Sequence, residues 1–232
     1  MLEKNQTIGG GHVPVLTTEV LDALSLQPNE NVLDGTVGAG GHASLMLEKI
    51  APQGKLLGFD LDEVALDTAR RMLERFGSRA MLVHANYKDV ERMLLSLSFG
   101  PIQAVLLDLG FYYLEINNPA RGFSFQNDGP LDMRFDTSQD RTAAEIVNQW
   151  TESDIAKILR QYGEERYAGR IARMICQRRR AKQIIGTLQL VDVIRQAVPL
   201  PYTRGHLHFA TRTFQALRIA VNDELENIRT GL

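Results

Sequence analysis

The chain has 232 residues, of which 44% are hydrophobic and 23% charged, and its formal net charge is −2 at pH 7. This length and composition are typical of a globular protein of one or two domains. The single cysteine, Cys176, excludes an internal disulfide and a cysteine-based zinc cluster, and the net charge confines any nucleic-acid-binding surface to a local patch.

Membrane and export signals are lacking in the sequence. No apolar run approaches the ~20 residues that span a membrane. The first residues, MLEKNQTIGGGHVPVL, lack the apolar stretch of a secretory signal. We therefore expect a cytoplasmic protein, and the spacing of the five histidines and one cysteine predicts no metal site.

The first half of the chain alternates helical patterns with short apolar runs. Thr17 or Thr18 is expected to cap an N-terminal helix. Four apolar runs predict buried parallel strands, at residues 31–37, 55–61, 80–84 and 104–109. Between the second and third strands, a helix is predicted to bury Ala65, Ala69, Met72 and Phe76, and His84 is expected in the core.

A glycine turn joins the first two predicted strands. Residues 31–62 read NVLDGTVGAGGHASLMLEKIAPQGKLLGFDLD, and Asp60 lies twenty residues after Gly40. Gly38, Gly40 and Gly41 permit a tight turn and close approach of a ligand, and the following helix start offers unpaired N–H groups. With Asp60 positioned to accept bonds from ribose hydroxyls, this pattern predicts a nucleotide-binding βαβ unit.

The turn also narrows the choice of ligand. It lacks the G-K-[ST] ending of an ATP- or GTP-binding P-loop, which leaves NAD and S-adenosylmethionine (SAM). The G-x-G-G run lacks the third glycine of the dinucleotide fingerprint, and SAM needs no pyrophosphate cradle, so SAM is favoured. The alternative is an ordinary α/β protein with a tight turn and no ligand.

After residue 109 the pattern becomes helical. Residues 112–136 form a loop rich in Gly, Pro, Asn and Asp, and apolar stripes at helical spacing follow. We expect a cofactor-binding core at residues 1–112, a helical subdomain with this loop at 113–212, and a helix returning to the core at 213–232. Cys176 is expected to fill space between helices.

One predicted helix carries a basic face. Such a face either grips an RNA backbone through phosphate contacts or is a solvated surface paired with Glu164 and Glu165. Arg166, Arg170, Arg173 and Arg180 share the face, and Arg178, Arg179 and Lys182 add to its basic end.

Several sequence blocks resemble one known family. HVPVL at residues 12–16, DGTVGAGGH at 34–42, RGFSFQNDGPLDMRFD at 121–136, YGEERYAGRIA at 162–172 and ATRTFQALRIAVNDEL at 210–225 are similar to the RsmH/MraW family. Its members are SAM-dependent methyltransferases that modify N4 of a cytidine in the decoding region of 16S rRNA. The resemblance implies an α/β fold: a Rossmann-like class I SAM-dependent methyltransferase core, its parallel sheet incomplete at the C-terminal edge, with an inserted helical subdomain.

The resemblance also implies a set of cofactor-binding residues. Tyr87 stands where the family has Phe, and Glu115 where it has a Gln that contacts SAM. The full set is Gly40, Gly41, His42, Asp60, Tyr87, Asp108 and Glu115. Asp108, at the end of the fourth strand, is the leading catalytic candidate, since a carboxylate that accepts an N4–H bond would hold the weakly nucleophilic amine in line. Its alternative role is to position the cofactor alone.

The long loop is expected to build the RNA side of the pocket. Phe123 and Phe125 either stack on an extruded base or pack the loop onto the helical subdomain. Asp128, Asp132 and Arg134 are expected to fix the loop through turn hydrogen bonds.

The chain departs from the family in two places. Residues 108–117 read DLGFYYLEIN where typical members have DLGVSSPQLD, so Tyr112 and Tyr113 replace two serines. The family also continues beyond the last helix, which predicts a truncated relative with an open sheet edge or an edge covered by a second copy, a homodimer.

Three functions follow as hypotheses. The first is a SAM-dependent (cytosine-N4)-methyltransferase whose partner is 16S rRNA or the small ribosomal subunit. The second is a truncated, catalytically impaired SAM- or RNA-binding relative. A DNA amino-methyltransferase is disfavoured because DLGF stands in place of the [DS]-P-P-[YF] signature.

Overall fold

The computed structural model describes residues 16–110 and 116–231. The chain divides into two compact units, an α/β unit of residues 1–110 with 227–232 and a helical unit of residues 111–226. Within the described ranges, no helix is long and apolar enough to cross a membrane.

The α/β unit contains a parallel four-stranded sheet in the order β3-β2-β1-β4. Val32 of β1 lies opposite Leu56 of β2 on one side and Ala104 of β4 on the other. The strands are β1 (Val32–Asp34), β2 (Leu56–Asp60), β3 (Ala80–His84) and β4 (Ala104–Leu106), and the helices are α1 (Thr17–Leu24), α2 (Gly41–Lys49), α3 (Glu63–Leu73) and α4 (Val90–Leu97).

Apolar side chains cover both faces of this sheet. Successive strand residues point to opposite faces, so Val32 and Leu56 pack with α2 and α3 while Leu33, Leu57 and Phe59 pack on the side of α4. Burial on both faces explains why the strands read as continuous apolar runs. The predicted Rossmann-like α/β fold is confirmed.

Some local predictions were wrong. Leu16, not a threonine, precedes α1, and it makes no side-chain cap. Met72 is 39% exposed, because the buried face of α3 instead carries Leu66 and Leu73. His84 is exposed at the end of an edge strand, where its Nε2 lies 2.9 Å from the carbonyl oxygen of Leu61.

The helical unit has its own hydrophobic core. Cys176 is buried in it, as predicted. Its helices are α5 (Ala143–Gln149), α6 (Glu152–Gln161), α7 (Ala168–Ala181), α8 (Thr187–Ala197), the short α9 (Leu200–Thr203) and α10 (Thr211–Asn222), and α11 (Glu224–Gly231) follows.

The returning segment is shorter than the expected residues 213–232. Phe214, Leu217 and Val221 of α10 are buried in the helical core, so this helix packs against α5 and α6. Asp223, with φ of 49°, ends α10, and the chain rejoins the α/β unit only from Asn227.

Candidate functional site

Three carboxylates lie at the carboxyl ends of adjacent strands in the α/β unit. Asp34 ends β1, Asp60 ends β2, and Asp108 follows β4 by two residues. In a parallel sheet these ends meet at the same edge, which is where α/β proteins bind ligands. Asp34 was not among the predicted residues, although it immediately precedes the glycine turn.

Burial governs the ionisation of Asp34, which is 1% exposed. Burial is the largest cause that raises the pKa of this carboxyl from 3.8 to about 7, and the negative charges of Asp60 and Asp108 act in the same direction. The backbone N–H of Thr36, which donates to Asp34 Oδ1 at 3.1 Å, opposes the shift. Asp34 therefore exchanges its proton near neutral pH.

The glycine turn is tied to the acid that ends β2. Gly38 and Gly40 have φ values of 52° and 90°, in the left-handed region that favours glycine. The Gly38 N–H donates to Asp60 Oδ2 at 2.8 Å, and the Asp62 N–H donates to Asp60 Oδ1 at 2.9 Å. Burial raises the pKa of Asp60, while these two bonds oppose the rise. Each oxygen keeps a lone pair for a ligand hydroxyl.

His42 and Asp108 approach each other above the first turn of α2. His42 Nε2 lies 4.0 Å from Asp108 Oδ2, and their side chains are 10% and 56% exposed. Burial lowers the pKa of His42, and Asp108 opposes the shift, so the imidazole is neutral at pH 7. His42 Nδ1 is buried without a hydrogen-bond partner among the described residues. An unpaired buried nitrogen costs about 1–3 kcal/mol, which a ligand atom would offset.

Thr36 connects the first and fourth strands at this edge. Its Oγ1 accepts the Asp108 N–H at 2.7 Å, while its own N–H donates to Asp34. The backbone of Asp108 is therefore held in place although its carboxylate is exposed. Like Asp34, Thr36 lies inside the DGTVGAGGH block and was missed by the sequence prediction.

Tyr87 follows β3 in a 3₁₀ turn, Tyr87–Asp89, and is half-buried. A Cβ built on Gly35 would lie 2.9 Å from the Tyr87 Cβ, so glycine at residue 35 makes room for this side chain. Gly41 is the first residue of α2. The predicted residue Glu115, with Tyr112 and Tyr113, lies outside the described residues.

The charge of this edge suits a cation better than a pyrophosphate. Among the described residues, no Lys or Arg forms an ion pair with Asp34, Asp60 or Asp108. A pyrophosphate would add negative charge beside three acids, whereas a sulfonium or ammonium group would be attracted to them. The glycine turn, the carboxylates and the unpaired His42 nitrogen therefore fit SAM better than NAD.

The predicted RNA-binding arginines all belong to the helical unit. Arg170 is exposed on α7, and Arg173 Nε lies 3.5 Å from Glu152 Oε1. The guanidinium of Arg166, just before α7, lies 4.9 Å from the Tyr167 ring centroid. Glu165, expected as a surface ion-pair partner, is instead buried at 2% exposure.

Arg179 has a structural role rather than adding to the basic face. Its Nη1 and Nη2 donate to the carbonyl oxygens of Val147 and Trp150 at 2.8 and 2.7 Å. These carbonyls lie at the C-terminal end of α5, where helix carbonyls lack intrahelical donors.

Phe123 and Phe125 pack within the helical unit. Phe123 stacks on Phe135 at a centroid distance of 5.4 Å, and Phe125 stacks on His208 at 4.5 Å. Both rings also pack against the helical core, which is the second of the two roles considered for them.

The predicted structural role of Asp128, Asp132 and Arg134 is confirmed. Arg134 Nε and Nη2 each donate to Asp132 at 2.8 Å, and Arg134 Nη1 donates to two further loop carbonyls. Asp128 Oδ1 accepts the N–H groups of Gly129 and Leu188.

Comparisons with known proteins agree on one family. The model of the MraW methylase family matches residues 10–232. The chain is 49% identical to "Ribosomal RNA small subunit methyltransferase H" of Syntrophotalea carbinolica, over 95% of this chain and 70% of that protein. It is 50% identical to the protein of the same name from Geotalea daltonii, over 95% and 71%. A solved SAM-dependent methyltransferase from Aquifex aeolicus has a TM-score of 0.29 and 14% identity over 62% of this chain and 77% of its own.

Proposed function

We propose, since this chain belongs to the MraW methylase family, that it is a SAM-dependent methyltransferase of small-subunit ribosomal RNA. The acceptor atom we propose is the exocyclic N4 of a cytidine in the decoding region. The observation that carries the proposal is the cluster of Asp34, Asp60 and Asp108 around a glycine turn, at the ligand-binding edge of a parallel sheet.

The cofactor-binding roles follow from this geometry. Bound SAM would supply an electrophilic methyl group on a sulfonium. The start of α2, at Gly41 and His42, presents backbone N–H groups suited to the cofactor carboxylate. Gly40, whose own N–H donates to the Val37 carbonyl at 2.8 Å, forms the turn that lets the cofactor approach. Asp60 can accept bonds from the ribose hydroxyls. Tyr87 offers a ring to the adenine. The unpaired Nδ1 of His42 gains a partner, and Asp34 counters positive charge.

Asp108 is the proposed catalytic residue. Cytosine N4 is a poor nucleophile because its lone pair is delocalised into the ring. An exposed carboxylate with a fixed backbone can accept an N4–H bond, hold the nitrogen in line and stabilise the positive charge that develops on it. His42 Nε2 lies 4.0 Å from the Asp108 carboxylate, on the same side of the sheet edge.

The basic side chains of α7 are proposed to hold the RNA backbone. Arg170 and Arg173 are exposed on one helix face, and phosphate contacts by such residues release counterions. The net charge of −2 means that this contact is local rather than a property of the whole protein.

Methyl transfer to ribosomal subunits tests the proposal. The protein is incubated with SAM labelled in the methyl group and with small subunits lacking this modification, and the labelled nucleotide is mapped. Label in a decoding-region cytidine is the expected result. SAM binding without transfer would support the catalytically impaired alternative, and label on another base would refute the cytosine-N4 assignment.

Asp108→Asn separates its two roles. Methyl transfer should be abolished with SAM affinity within about threefold of wild type if the carboxylate acts on the acceptor. A parallel loss of SAM affinity would instead assign Asp108 to cofactor positioning. Asp22→Asn, an exposed acid on α1, is the matched control.

A further inference from the structure

The helical unit contains a cavity that the proposed methyl-transfer chemistry does not use. Its volume is about 610 Å³, within the ~300–1,000 Å³ range of small-molecule sites. All of its lining residues belong to the helical unit: Arg166, Tyr167, Pro199, Pro201, Tyr202, Gly205, His206, Leu207 and Arg212.

A buried carboxylate holds two tyrosines at this cavity. Glu165 Oε2 accepts the Tyr202 hydroxyl at 2.9 Å, and Glu165 Oε1 accepts the Tyr167 N–H at 2.9 Å. The tyrosine rings meet edge to face, with centroids 4.9 Å apart. Burial and the bond to Glu165 raise the pKa of Tyr202 to about 12, so its hydroxyl stays protonated. The aromatic wall is therefore preorganised.

Two guanidinium groups belong to the cavity lining. The Arg166 guanidinium lies 4.9 and 5.8 Å from the Tyr167 and Tyr202 ring centroids, and Arg212 Nη1 donates to the Glu164 carbonyl at 2.6 Å. His206 is exposed at the rim. The described lining has two guanidinium groups and no carboxylate, which favours an anionic ligand.

We propose that this cavity binds one nucleotide of single-stranded RNA that is not the methylated nucleotide. This role rests on the proposed function, in which RNA is the methyl acceptor. The base contacts the wall formed by Tyr202, the two prolines and Leu207, and the phosphate is held by Arg166 and Arg212. Arginine combined with aromatic rings is typical of sites that bind unpaired nucleotides, because every base can stack on a ring and every phosphodiester carries a negative charge.

Two substitutions of lining residues test the cavity, each with a matched control variant. A Cβ on Gly205 would meet only the carbonyl oxygens of Tyr202 and Leu207, at 3.5 and 3.8 Å, so a side chain at this lining residue meets no backbone clash at its Cβ, and the ring of Gly205→Trp is expected to occupy the cavity. Gln183→Trp adds the same ring at an exposed position outside the cavity. Leu207 is 53% exposed, so Leu207→Glu places a carboxylate at the cavity, and Leu207→Gln is its uncharged match.

The measurement is the Kd of the full chain for a fluorescein-labelled single-stranded RNA of ten nucleotides, by anisotropy. Gly205→Trp is expected to weaken binding at least tenfold, while Gln183→Trp changes it less than twofold. Leu207→Glu should weaken binding at least fivefold more than Leu207→Gln. Equal affinities for the two tryptophan variants, or for the two Leu207 variants, would overturn the proposal, and thermal unfolding of each variant shows that it is folded.

The outcomes also separate this site from the proposed function. Full methyl transfer by Gly205→Trp with unchanged RNA affinity would overturn the nucleotide site and leave the methyltransferase proposal standing. Cavity-dependent RNA binding by a wild-type protein that transfers no methyl group would support the nucleotide site and refute the enzyme.

Discussion

Replacing Asp34 with asparagine should stabilise the α/β unit at high pH at the expense of cofactor binding. Asp34 is buried at 1% exposure and carries a pKa raised to about 7. In the unfolded chain the same group ionises near 3.8. Asparagine has the same shape, keeps the Oδ1 that accepts the Thr36 N–H, and never ionises.

The direction of the pH dependence follows from the pKa values of Asp34 in the folded and unfolded protein. Because the pKa of Asp34 is raised by folding, the folded protein binds this proton more tightly than the unfolded chain does. The contribution of Asp34 to the free energy of unfolding is therefore greatest below about pH 4 and decreases as the pH rises to about 7. At ~1.4 kcal/mol per pH unit, wild type loses about 1.5 kcal/mol by pH 5 and about 4 kcal/mol by pH 8. The advantage of Asp34→Asn should therefore grow by about 2–3 kcal/mol between pH 5 and pH 8.

Hydrogen exchange measures this advantage in the α/β unit itself. Peptides covering β1 and β2 report the opening free energy after correction for the intrinsic exchange rate at each pH. The lowered pKa of His42 acts equally in both proteins and cancels in the difference. Any constant cost of the buried asparagine amide also cancels between the two pH values. Fluorescence of the single tryptophan, Trp150, follows the helical unit as a control.

An advantage of Asp34→Asn that is equal at pH 5 and pH 8 would refute the argument, because only a titrating carboxyl makes it grow. A stability gain without weaker SAM binding would refute the proposed contact between Asp34 and the cofactor. The two results are independent.

Three further predictions use other residues. His42→Phe should weaken SAM binding about tenfold without lowering the stability of the protein, since it removes an unpaired buried nitrogen. A less stable variant would show instead that His42 has a structural role. Arg170→Ala with Arg173→Ala should reduce the salt slope of RNA binding by about 1.5–2, while Lys157→Ala on α6 leaves it unchanged; an unchanged slope in the double variant would remove α7 from the RNA interface. Phe125→Ala should destabilise the helical unit by about 3 kcal/mol, as measured by urea unfolding with Trp150 fluorescence; a loss of RNA binding at full stability would instead restore the base-stacking role.

Local patterns predicted the α/β architecture well. Apolar runs become strands when both sheet faces are covered, and the runs at residues 55–61 and 80–84 contain β2 and β3. The ends were less predictable: β1 stops at Asp34 because its carboxylate already accepts the Thr36 N–H of the glycine turn. His84 has an apolar sequence context, but it ends an edge strand and is therefore exposed.

The same limit applies to the candidate site. Gly40, Gly41, Asp60 and the family blocks predicted the proposed cofactor region, because a glycine turn and the end of a strand can be recognised from neighbouring residues. Asp34 was missed because its importance comes from burial among other acids, which spacing does not reveal.

The sequence by itself determined the α/β class, the helical second half and the family, because periodicity, glycine spacing and long motifs are local properties of the chain. Only the tertiary structure decided which charges are buried. Glu165 reads as a surface acid in YGEERYAGRIA, yet it accepts a bond from Tyr202, 37 residues away. Arg179 likewise reads as part of a basic face but caps α5. Such roles depend on desolvation and on contacts between distant segments, which form only when the chain is folded.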